Sequence, residues 1–157
     1  MSGIIKSNEI VDQMKIAWTS QTGGGGFHFG NPQEVDDIHS KTLPLMVINS
    51  PQMSISIDSW KKNTILQNSN WTLSVYENLP SKYNVTDDLK ILEFWDTMEN
   101  KVLEWFYVWF YYYETQGHEL DMTSQIQITR LKESSNDRLL SLKITFGFNY
   151  FRYCRTI

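Results

Sequence analysis

Residues 105–113 read Trp-Phe-Tyr-Val-Trp-Phe-Tyr-Tyr-Tyr, so eight of nine consecutive side chains are aromatic. On a helix such a run covers the whole circumference. One face can be buried on a sheet, and the rest must be solvated or covered by another molecule. Glu104 and Glu114 bracket the run, which is far shorter than the roughly 20 apolar residues a spanning helix needs. A membrane segment is therefore not the expectation.

The surroundings of the run predict a long helix. Thr86 is a fitting N-cap, and Asp87 and Asp88 place carboxylates at the positive helix end. No Gly or Pro interrupts the pattern until Gly117, a suitable stop. A helix over 86–117 follows, and its residues 87–116 would be roughly 45 Å long at about 1.5 Å per residue. Leu89, Leu92, Trp95 or Asp96, Met98 or Glu99, Val102, Trp105 or Phe106, Trp109 and Tyr113 trace a stripe at spacings of three and four, widened by Ile91, Phe94, Leu103 and Phe110. If that stripe is buried, Tyr107, Tyr111 and Tyr112 face outward. Residues 27–42 of the same chain, or a partner, would then cover them. Tyrosine suits such half-wet contacts. The candidate subunit interface is accordingly Trp105, Tyr107, Trp109, Tyr111, Tyr112 and Tyr113.

The rest of the chain reads as strands around one short helix. Residues 7–19 carry Ile10, Val11, Met14, Ala17 and Trp18 at helical spacing, with Ser7 as the expected N-cap. Gly23–Gly26 then break the helix, as a flexible hinge or a tight turn. A phosphate loop is excluded, since that loop needs a preceding strand and a Lys-Ser/Thr at the next helix start. Residues 20–42 form a Gly-rich connector and loop, with a short strand at Phe27–Gly30. Strands are expected over 43–80: the apolar run Leu43–Ile48, the alternation of Met53, Ile55 and Ile57, and the alternation of Trp71, Leu73 and Val75. Residues 59–69 are polar and read as a loop or hairpin end. A C-terminal β-hairpin is predicted over 123–151. Ile126 and Ile128 mark one strand, and Leu140, Leu142, Ile144, Phe146 and Phe148 mark the other. The turn cluster Ser134–Asp137 joins them. The apolar face of that hairpin needs a cover, and the long helix is the candidate. The expected architecture is α+β: one domain over 1–157, a mostly antiparallel sheet packed against one long helix plus a short N-terminal helix.

Composition narrows the function classes. At 157 residues the chain holds one core. A net charge of −4, with no Lys/Arg run longer than Lys61–Lys62, argues against a nucleic-acid surface. The single cysteine, Cys154, excludes a disulfide framework and a cysteine-based zinc site. His28, His39 and His118 lie in separate segments and form no HxxxH or HExxH pair. Asp36–Asp37 and Asp87–Asp88 are adjacent pairs, and neighbours on a strand point to opposite faces. Arg152 and Arg155 flank Cys154 and would lower a thiol pKa, but no histidine is placed near it by sequence. No GxSxG motif is present. The reading is a non-enzyme without metal or cofactor, and the first fifteen residues read as cytoplasmic.

The order of the pieces resembles a known family. An N-terminal helix precedes "FHFGNPQEVDDIHSKTLPLMVINSP", a long helix follows a strand region, and "QIQITRLKESSNDRLLSLKITFGFNYFRYC" closes the chain. Its Asn136-Asp137-Arg138-Leu139 turn leads into a strand of alternating apolar residues, with a Cys near the end. This is similar to the tail terminator, or tail completion, proteins of long-tailed bacteriophages. Such families usually show a glycine soon after that turn, where this chain has Leu140-Ser141-Leu142. The resemblance implies a small virion subunit that forms a homomeric ring, typically a hexamer. That ring would cap the tail tube, contact the tube protein and the neck or connector protein, and let DNA pass its lumen without specific binding. It implies host cytoplasm during assembly and no catalytic residues. Another neck, connector or tail-tube ring component is the near alternative. A monomeric module with an aromatic-lined ligand cleft is the more distant one.

Overall fold

The computed structural model describes residues 6–30, 42–57, 64–116, 120–122, 125–132 and 138–154. Helix α1 spans Ser7–Thr22. Lys6, not Ser7, is its N-cap, and the Lys6 backbone N–H donates to Glu9 Oε2 at 3.4 Å. The helix runs three residues beyond the predicted end. Gly23 then stops it in the left-handed conformation at φ 66°, and the Gly24 N–H donates to Thr19 O at 2.9 Å. The glycine run is thus a helix cap and a tight turn. A Cβ on Gly26 would lie 2.5 Å from Thr42 O, so the backbones meet too closely there for any other residue. Trp18 Nε1 donates to Gly26 O at 2.9 Å and ties the turn to the helix.

Among the described residues seven strands follow in one sheet. They are β1 (Gly26–Phe29), β2 (Leu45–Ile48), β3 (Gln52–Ile57), β4 (Thr64–Asn78), β5 (Asp121–Met122), β6 (Gln127–Lys132) and β7 (Leu139–Cys154). Only β1 and β2 are parallel; the other pairings are antiparallel. The centre is the long β4–β7 ladder, which joins Thr64 to Cys154 at one end and Asn78 to Leu139 at the other. On its outer edge β4 pairs β3 with its first half and β2 with its second. The outer edge of β7 pairs β6 and the short β5 in the same manner.

The polar stretch 59–69, expected as a loop, is a correction: Thr64–Ser69 belong to β4. Strand partners on both sides satisfy its backbone, and that pairing overrides the low strand preference of Gln67, Asn68 and Ser69. The predicted C-terminal hairpin is present as β6 and β7. Its turn cluster Ser134–Asp137 lies outside the described residues, as do residues 31–41 of the 20–42 loop, with Asp36–Asp37 and His39 among them, and Gly117 and His118.

Helix α2 spans Asp88–Thr115, with Asp87 rather than Thr86 as N-cap. Asp87 Oδ1 accepts from the Lys90 N–H at 3.2 Å. α2 buries Ile91, Phe94, Trp95, Met98, Val102, Trp105, Trp109 and Tyr113. Together with Ile10, Met14 and Trp18 of α1, this stripe meets Trp71, Leu73 and Val75 of β4 and Leu142, Ile144, Phe146 and Phe148 of β7. Leu89 and Leu92, expected in the stripe, are exposed. Turning the helix to bury them would carry Trp105 and Trp109 out of the core, and the larger rings decide the orientation. A small cluster of Leu45, Val47, Tyr76 and Leu139 lies on the opposite sheet face. The described residues form an α+β domain with two helices on one face of a mostly antiparallel sheet.

Candidate functional site: the outer face of helix α2

The structure divides the aromatic run in two. Trp105, Trp109 and Tyr113 are core residues, so their assignment to a subunit surface is corrected. Trp105 is fully buried, and its Nε1 donates to Met14 O at 2.8 Å, locking α2 to α1. The Trp109 ring packs 6.0 Å from Phe146 and 5.7 Å from Phe148. Tyr113 is buried, and that burial pushes its phenol above the ordinary range, with Tyr112 and Glu9 adding to the effect. Helix geometry separates the sets. At about 100° per residue, positions 105, 109 and 113 stay on one face while 107 and 111 fall on the other.

Tyr107, Tyr111 and Tyr112 form the exposed set, at 68%, 49% and 38% of full accessibility. Tyr107 and Tyr111 stack on each other with centroids 5.8 Å apart and planes 5° from parallel. Leu103 and Val108, also exposed, extend the apolar surface. Phe27, in the segment expected to shield the run, packs into the core instead. Among the described residues nothing covers Tyr107 or Tyr111.

The electrostatics of this face are one-sided. The flank of α2 toward β6 is clamped. Arg130 Nε reaches Glu99 Oε1 at 2.6 Å, Arg130 Nη2 reaches Asp96 Oδ1 at 3.0 Å, and Lys132 Nζ reaches Asp88 Oδ1 at 2.5 Å. Hydrogen bonding to Glu99 holds the Arg130 guanidinium above its usual pKa. The helix's own cations are engaged as well, Lys90 with Asp87 at 3.9 Å and Lys101 with Glu77 at 3.6 Å. Glu93, Glu104 and Glu114 remain exposed and, among the described residues, have no ion pair. In the sequence Glu104 and Glu114 stand out only as brackets of the aromatic run, and Glu93 does not stand out. The signal was there: Leu92-Glu93 returns eleven residues later as Leu103-Glu104, which is three helical turns.

A second feature lies at the start of α1. A cavity of about 340 Å³ is lined by Val11, Phe29, Pro51, Met53 and Trp71, with Asp12 among its polar residues. Chemistry beyond shape is sparse. Among the described residues no three His, Cys, Asp or Glu side chains are grouped to hold a metal ion. No described helix is long and apolar enough to cross a membrane. Arg138, from the turn that carries the phage resemblance, is a structural stitch. Its guanidinium donates to the carbonyls of Leu79 at 3.1 Å and Tyr83 at 2.8 Å, and also to that of Pro80, closing the connection from β4 to α2.

No protein-family model matches the chain, and no curated protein is significantly similar to it.

Proposed function

We propose that the protein is a ring-forming structural subunit of a bacteriophage virion, a tail terminator that caps the tail tube and joins it to the neck. One observation carries the reading. Two stacked tyrosines, with Leu103, Val108 and Tyr112, stay uncovered on the outside of a helix whose other face is fully packed. Aromatic surface left in water on a rigid element is the composition of an interface core. The order of elements supports the terminator assignment through its likeness to that family. The partners are further copies of the chain, the tail-tube protein and the neck protein, with DNA passing through the lumen. Other neck or tail-tube rings share this logic.

The cavity beside Trp71 favours a second reading, a monomeric module that takes a small apolar or sugar ligand. Light scattering over a concentration series, with negative-stain images, separates the two. A closed ring of about six copies is expected. A monomer at every concentration, with a melting temperature raised by a glycan or small aromatic, supports the ligand-binding module instead.

A further inference from the structure

The cavity at the start of α1 joins an apolar interior to one charge. Its wall is Trp71, buried in β4 and stacked on Phe148 with ring centroids 6.2 Å apart. Val11, Met53 and the exposed ring of Phe29 extend the apolar lining. Backbone hydrogen bonds hold the segments around it. The Gly30 N–H donates to Ile48 O at 2.8 Å, and the Asn49 N–H to Thr72 O at 3.0 Å. The space is about 340 Å³. An apolar cavity of roughly 150 Å³ already takes a benzene ring, so one ring with a short polar head fits here.

The polar lining selects the head. Ser7, Asn8 and Ser50 are neutral, and Asp12 is the one ionised side chain among the described lining residues. It stands one helical turn after Asn8 and beyond the first turn of α1, where the positive helix end no longer offsets a carboxylate. Asp12 is exposed and, among the described residues, has no ion pair. A single carboxylate on the rim of an aromatic-walled space attracts a cation and repels an anion. The π face of Phe29 favours the same sign. We propose that this cavity binds a small apolar ammonium compound, its hydrocarbon against Trp71 and Met53 and its charged head at Asp12. This rests on the ligand-binding reading of the cavity and names the class of ligand.

Three probes that share a ring and differ in charge test it: benzylamine, benzyl alcohol and benzoate. Each is titrated into the full chain, and binding is read from the amide chemical shifts of Val11, Phe29 and Met53. Benzylamine should bind about fivefold more tightly than benzyl alcohol, with benzoate weakest. Asp12→Asn should erase the preference for the amine and leave the alcohol unchanged. Val11→Trp fills the cavity and should remove binding of all three, with circular dichroism melts to confirm folding. Benzyl alcohol that binds as tightly as benzylamine overturns the ammonium site and leaves a ligand cavity standing. So does an amine preference that survives Asp12→Asn. Benzylamine that binds the folded Val11→Trp chain as it binds wild type places the amine elsewhere and overturns the proposal too. If none of the probes shifts those amides, the ligand-binding reading falls with it.

Discussion

At the scale of single residues, nine positions of α2 hold two kinds of aromatic, and substitutions should tell them apart. Trp105→Phe removes the buried hydrogen bond to Met14 O, a carbonyl inside α1 that keeps its intrahelical partner. The expected cost is about 0.5–1.5 kcal/mol of stability by urea denaturation. Tyr107→Ala or Tyr111→Ala deletes an exposed ring, and stability should move by less than about 0.5 kcal/mol. Self-association should weaken by about 1–2 kcal/mol in the same variants, read as a shift of the assembly midpoint. Equal losses of stability from both classes would mean that the tyrosines belong to the fold. Glu77 carries a pH signature. Burial raises its pKa, and Lys101 at 3.6 Å opposes that only in part. Folding then favours its protonated form, so its contribution to stability falls as pH rises from the ordinary carboxylate range through the raised value. Glu77→Gln should match wild type in acid and melt higher than wild type at neutral pH. A melting difference that shrinks toward neutral pH would contradict the burial argument.

At the scale of elements, the clamp between β6 and α2 is the most exposed dependency. Arg130 bridges Asp96 and Glu99, and all three are partly in water. Arg130→Ala should therefore cost no more than about 1 kcal/mol, while hydrogen exchange over β6 accelerates. Uniform exchange across the sheet would show that the clamp holds nothing locally. The elements also show what the sequence made legible. Apolar periodicity located α1, β2, α2 and β7 because each buries a full face and so must repeat at its own period. It found the second half of β4 but failed over the first, where Gln67, Asn68 and Ser69 are held by ladders on both sides, a tertiary fact with no local trace. It placed the rest of the α2 stripe on the buried face but misassigned Leu89 and Leu92 at the helix start, which share the spacing of the true stripe. Only the bulk of Trp105 and Trp109 against Phe146 decides between the two faces. The candidate surface was half legible for the same reason: an all-aromatic run states that some rings face out without stating which.

At the scale of the whole molecule, the sheet is closed by its most distant partners. Every pair in the β4–β7 ladder joins residues more than sixty positions apart. Such contacts arrive late, so refolding should take milliseconds to seconds rather than microseconds in stopped-flow tryptophan fluorescence. Leu73→Ala, in the buried centre of that ladder, should cost about 2–5 kcal/mol. The packing of α2 on the sheet has an optical consequence as well. Trp105 and Trp109 lie 5.8 Å apart at 50°, and the rings continue through Phe146 to Phe148 and Tyr150 at centroid spacings near 6 Å. Chromophores this close and this fixed share their electronic excitations, and their tilt makes the shared excitation chiral. The folded protein should therefore rotate near-ultraviolet light with an intensity its separate side chains could not produce. That signal would vanish when the layers separate, even with every helix still wound.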